Sequence, residues 1–209
     1  AAMDLTGVTM GTSATLPDLF TFTFPAGTVV LPGEYVLVDT GVAVPSGLQA
    51  AFTLDEDGGS VYLRNAGGTL LDSISYGPQI PAHSISRTGD GTVWTLTAAT
   101  PGAANGAPLP LSQTAAVRIN EWLALPRHRS EREFIELHNT SALPAPLGRL
   151  HITDQSINSP GQFTFPPLSY LAAGGFYAMH PTGKPVGENF SELTFQLAGH
   201  QDYITLTGA

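Results

Sequence analysis

Phe20-Thr21-Phe22-Thr23-Phe24-Pro25 decides how this chain is read. Alternate residues of a strand point to opposite faces, so the three rings fall on one side and the two threonines on the other. That is the pattern of a sheet with one face in a core and the other in water. The same words return as Phe163-Thr164-Phe165-Pro166. Working outward, Leu31-Pro32-Gly33-Glu34-Tyr35-Val36-Leu37-Val38, Phe52-Thr53-Leu54 and Val61-Tyr62-Leu63 return as Ala172-Ala173-Gly174-Gly175-Phe176-Tyr177-Ala178-Met179, Phe195-Gln196-Leu197 and Ile204-Thr205-Leu206. A long-period repeat of this kind marks a duplicated structural unit.

Short alternating runs bounded by Gly, Pro, Asn or Asp continue through the chain, at 34–38, 59–63, 72–76, 93–96, 117–123, 134–138, 176–179 and 202–206. No 11-residue window holds a 3.6-residue apolar period, so single helical turns are the most that is expected. Charged residues are only 12% of the chain, beside 23 Gly and 17 Pro, which suits many strands and tight turns better than helices with charged faces. A net charge of −9 with 8 Lys and Arg leaves no basic stripe to displace counterions from phosphates, so nucleic-acid binding is not expected. The absence of cysteine excludes disulfides, thiolate nucleophiles and cysteine-based zinc sites. No stretch reaches the ~18 apolar residues of a transmembrane helix.

The register of the repeat sets the domain organisation. Residues 1–105 read as the first copy, the small-residue and proline-rich 106–116 as a linker, and 117–209 as the second copy. Leu5 matches Leu147, an offset of 142, which projects Val117 to a position ahead of Ala1. The first copy is thus expected to lack its opening strands. The second ends opposite Gly67, so it is expected to lack counterparts of 72–76, Trp94 and 101–105. Such interrupted sandwiches expose unpaired edges; the expectation is a piece of a longer polypeptide, or a chain completed by another.

The order of segments resembles the lamin tail domain, an immunoglobulin-like β-sandwich. Val117-Arg118-Ile119-Asn120-Glu121-Trp122 followed by Phe134-Ile135-Glu136-Leu137-His138-Asn139-Thr140-Ser141 resembles its opening strands. Phe24-Pro25-Ala26-Gly27-Thr28, Leu31-Pro32-Gly33-Glu34-Tyr35, Gly58-Gly59-Ser60-Val61-Tyr62-Leu63 and Leu71-Asp72-Ser73-Ile74-Ser75-Tyr76-Gly77 resemble its middle. Asp90-Gly91-Thr92-Val93-Trp94-Thr95 with Thr100-Pro101-Gly102-Ala103-Ala104-Asn105 is similar to the closing signature of bacterial members. The resemblance implies an all-β chain of tandem immunoglobulin-like β-sandwiches, no catalytic residues, and a place in a large secreted or cell-surface protein, where such repeats act as spacer or assembly units.

The residues themselves offer few sites. Asp55-Glu56-Asp57 beside two glycines gathers three carboxylates, a calcium candidate, against the alternative of a solvated hairpin turn. Gly89-Asp90-Gly91 reads as a turn. Arg127, His128, Arg129 and Arg132 crowd the tip between the two opening strands and form a candidate interaction surface for an acidic partner. Asn120, Glu121, Glu136 and Asn139 fall on adjacent strands; a carboxylate pair of the glycosidase kind is set against outward-facing strand residues or a turn anchor. Asn139-Thr140-Ser141 and Asn189-Phe190-Ser191 match the glycosylation pattern. The six histidines show no metal-ligand spacing. The expected function is therefore a non-enzymatic module that works through protein partners or self-assembly, without a cofactor. The alternative is a calcium- or carbohydrate-binding accessory module of an extracellular hydrolase.

Overall fold

The computed structural model of the chain describes residues 1–15, 21–41, 47–128, 130–155, 161–184, 190–198 and 203–208. The chain is all-β. Its strands run from Met3–Asp4 to Thr205–Thr207, and the one helical segment among the described residues is the 3₁₀ turn Thr114–Ala116. Phe20 and Asp202 of the expected strands lie outside the described residues.

The polypeptide divides into two compact units, one of residues 1–55, 59–75 and 82–108, the other of 56–58, 76–81 and 109–209. The proline-rich stretch expected as a linker is shared out between them. Pro108 is bridged to Thr97 within the first unit, while Ser112 N–H donates to the Pro144 carbonyl within the second. Residues 76–81 belong to the second unit through specific bonds. Tyr170 N–H donates to the Pro78 carbonyl at 2.8 Å, and the Gln79 side-chain amide donates to the carbonyls of Gly77, Pro78 and Leu168.

In the second unit Val117–Leu123, Phe134–Asn139, Phe176–Pro181 and Glu192–Leu193 lie side by side in one sheet, and Phe163–Thr164, His151–Thr153 and Thr205–Thr207 form another. The alternation read in the sequence is what joins them. Ile135 and Leu137 on one sheet and Ile152, Phe163 and Phe165 on the other are at most 1% exposed and belong to a single core cluster that also holds Val117, Met179 and Leu193. Each such side chain contributes roughly 1.5–3 kcal/mol by leaving water. In the first unit Thr9–Gly11 lies between Phe22–Thr23 and Gly59–Arg64, with Leu70–Tyr76 at the far edge. Val38–Thr40 pairs in parallel with Leu48–Ala50, and His83–Thr88 forms an antiparallel hairpin with Val93–Ala98.

The repeat extends to individual hydrogen bonds. Met10 pairs with Phe22 and Leu63 as Ile152 pairs with Phe163 and Leu206. Met3 faces Val30 as Ala145 faces Leu171, and the parallel pairs Asp39–Gln49 and Thr40–Ala50 recur as His180–Glu192 and Pro181–Leu193. Leu5 N–H donates to the Thr28 carbonyl and Leu147 N–H to that of Ser169, both at 2.8 Å. The paired rings Phe22/Phe24 and Phe163/Phe165 meet edge to face at centroid distances of 5.0 and 5.1 Å. Each of these pairings thus keeps its register between the copies.

One position shows how the copies diverged. Gly7 has φ 75° and its counterpart Arg149 has φ 69°, a conformation that costs a residue with a Cβ roughly 1–2 kcal/mol. The glycine of the second copy has moved one place back, to Gly148, where an added Cβ would meet the Pro167 carbonyl. Thr6 occupies that place in the first copy and its hydroxyl accepts from Gly27 N–H at 3.0 Å. Because Arg149 is exposed, Arg149→Gly is expected to stabilise the second unit by about 0.5–1 kcal/mol once the extra freedom of glycine in the unfolded chain is allowed for. A chemical-denaturation midpoint followed through Trp122 fluorescence measures it; an unchanged or lowered midpoint contradicts this account.

Candidate interaction surface

The two copies differ most in what lies beside one strand. Phe176–Pro181 is bonded antiparallel to Phe134–Asn139 in the pairs His138–Phe176, Leu137–Tyr177, Glu136–Ala178 and Ile135–Met179. His138 stacks on Phe176 at 4.3 Å, and Met179 is fully buried. By the register of the repeat, Tyr35, Val36, Leu37 and Val38 of the first unit occupy the places of Phe176, Tyr177, Ala178 and Met179. The sequence leads one to expect a strand over 34–38, yet the strand begins only at Val38, and among the described residues none pairs with 35–37. An extended segment becomes a strand by exchanging N–H and carbonyl groups with another, and the described residues supply none beside 35–37.

The side chains there are correspondingly bare. Tyr35 is 53%, Val36 38% and Leu37 52% exposed. Beneath them opens an apolar groove of ≈ 380 Å³, lined by Met3, Leu5, Phe24, Val30, Val36 and Leu63 among others. Their register counterparts are Ala145, Leu147, Phe165, Leu171, Tyr177 and Leu206, and all six belong to, or pack against, the closed core of the second unit. What is core in one copy is the wall of an open groove in the other.

The sequence-predicted sites fall elsewhere. Glu56 and Asp57 form a turn, Asp55 and Glu56 are exposed, and Gly58 follows at φ 132°; among the described residues no group of three or more His, Asp or Glu is gathered as a metal site. Residues 127, 128 and 130–133 lie at the tip between Val117–Leu123 and Phe134–Asn139. Arg127 and His128 are exposed, and Arg132 reaches Glu192 at 3.4 Å, so that arginine already has an acidic neighbour in its own chain. Arg129 lies outside the described residues. Of the four strand residues, Asn120 donates to Glu136 Oε1 at 2.7 Å and Glu121 faces Glu136 across a bulge.

Asn139 is fully buried and acts as the turn anchor. Its amide nitrogen donates to the carbonyls of Leu143 and Ala172 at 2.8 and 2.9 Å, and its oxygen accepts from Ser141 N–H. That burial removes it as a glycan acceptor; Asn189 lies outside the described residues. The closing signature is likewise structural. Arg87 bonds Asp72 at 2.7 Å and the Gly91 carbonyl at 2.8 Å, lies 4.4 Å over the Trp94 ring, and lends its own carbonyl to the Asn105 amide. Asp90 caps the turn it was expected to form. Its carboxyl is held below the usual range by the Thr92 side chain and then by the Thr92 N–H, as Asp4 is by Thr6.

No family model, curated protein or solved structure matches the chain. The internal duplication is therefore the template against which the surface is read. The groove itself was not foreseen from the sequence; six of its lining residues have register counterparts that are buried or half-buried in the second unit.

Proposed function

We propose that the chain is a non-catalytic interaction module, built of tandem immunoglobulin-like sandwiches of the lamin-tail kind and serving as an assembly unit of a larger secreted or cell-surface protein. The observation that carries this reading is the bare edge at 35–37, whose twin in the second unit is covered by a strand. An unpaired strand edge over an apolar groove is a ready template for another β-segment, with backbone bonds supplying affinity and alternate pockets supplying specificity. No helix among the described residues is long and apolar enough to cross a membrane, and the low charge and strand-rich composition accord with a surface or extracellular setting.

A photo-crosslinking residue placed at position 37 in the native polypeptide, expressed in its own host, tests the reading. The expected result is a covalent adduct whose mass-spectrometric map identifies one extended, alternating protein segment. Irradiation that links position 37 to no protein segment sinks it.

A further inference from the structure

We propose that the groove of the first unit is a receptor for a β-hairpin of the pattern found at residues 117–139, docked antiparallel to 35–38 in the register that Phe134–Asn139 adopts against Phe176–Pro181. The inference rests on the interaction reading above and names the partner's chemistry.

The second unit supplies the template. There the hairpin of Val117–Leu123 and Phe134–Asn139 places Val117, Ile135 and Leu137 in the core, with Ile119 packed against it. Ile135 pairs with Met179 and Leu137 with Tyr177. Transferred to the first unit, these partners fall opposite Val38 and Val36, and Val36 already lines the groove. The outward places agree as well. Phe176 is 55% exposed even under the hairpin, as Tyr35 is 53% without it, whereas Met179 is fully buried where Val38 is only half-buried. The inward side chains are thus the ones whose burial depends on a neighbour. All of the groove's register counterparts named above are buried or half-buried by a closed core, so the surface complementary to such a hairpin is already formed.

A ligand of this kind must meet three requirements: an alternating strand with apolar residues two apart, a second strand to cover its other edge, and no charge at the inward places. A buried, unpaired charge there would be desolvated without compensation. A helix, a sugar or a nucleotide cannot supply the continuous, strand-spaced ladder of donors and acceptors that matches those of 35–38.

The experiment adds a synthetic peptide of residues 117–139 to the full chain and reads binding by fluorescence anisotropy and the site by hydrogen exchange. The expected result is a saturable one-to-one complex in which the amides of 35–38 become protected and the first unit, followed through Trp94, melts at higher temperature, because a ligand that binds only the native state must stabilise it. Val36→Asp in the chain, or Ile135→Asp in the peptide, is expected to weaken binding at least about tenfold by placing a charge in the apolar contact. As a check free of peptide solubility, residues 117–144 are fused ahead of Met3, since Ala145 is the counterpart of Met3; the same amides are expected to become protected intramolecularly. The proposal is overturned if the peptide does not bind and the fusion leaves exchange at 35–38 unchanged. It is also overturned if protection appears at Phe176–Pro181 instead, through displacement of the resident hairpin, if Val36→Asp has no effect, or if the chain closes its groove by exchanging hairpins between two copies and excludes the peptide. If the hairpin fails while position 37 crosslinks to some other extended segment, this inference falls and the interaction reading stands.

Discussion

Phe165→Ala is expected to destabilise the second unit by about 4 kcal/mol, while the register-matched Phe24→Ala costs the first unit only about 2 kcal/mol. Both rings begin almost fully buried, at 1% and 6% exposure, and both meet a neighbouring phenylalanine edge to face. Their surroundings differ. Phe165 belongs to a cluster closed by Val117, Ile135 and Leu137, so its removal leaves an enclosed void whose walls lose their contacts. Phe24 lines an open groove, where water can fill the space and part of the cost disappears. Trp94 and Trp122 fall in different units, so single-tryptophan variants followed through a urea titration read the two losses separately. Equal losses would mean that the groove is closed in solution.

Asn139→Ala is the second large effect, about 3 kcal/mol. The substitution removes donors to the Leu143 and Ala172 carbonyls and the acceptor for Ser141 N–H, all at a fully buried position. Each group left without a partner costs roughly 1–3 kcal/mol, some of it recovered where water enters at the half-exposed Ser141. Asn139→Asp separates the roles: it keeps the acceptor but replaces the donors with a buried charge, and is expected to be at least as damaging as alanine. Urea midpoints at neutral pH decide; an alanine variant within about 1 kcal/mol of the parent would show that the amide anchors nothing.

Much of the architecture was legible because it was stated twice. The ring–threonine alternation at 22–24 and 163–165 pointed to both strand identity and the inward face, and residues matched by the offset near 142 turn out to have matching strand partners. Local chemistry was readable where it is local, as in the Asp90 turn and the tip at 127–133. Three things were not. The strand expected over 34–38 required a neighbour, and alternation cannot report whether one is present. The turn anchor was one of the readings offered for Asn139, but its hold on the distant Ala172 carbonyl was not visible in the sequence, and nothing local marked Arg87 as the residue that ties Asp72 and Asn105 to the Trp94 turn. The assignment of 76–81 to the second unit follows from the bonds of Gln79, which no repeat predicts because that segment has no counterpart within the chain.

The equivalence of the two receptor edges also bears on how the chain finds its native pairing. During folding the hairpin of 117–139 meets two segments that present nearly the same register. Roughly 40 residues separate Leu137 from Tyr177 and roughly 100 separate it from Val36, and loop-closure entropy rises so slowly with length that this difference favours the correct partner only about fourfold. Proximity alone is a weak selector. The remaining discrimination falls to side chains such as Met179, buried where Val38 is not, and Phe176 stacked on His138, so the modest divergence between the copies is what keeps a duplicated chain from pairing with itself out of order.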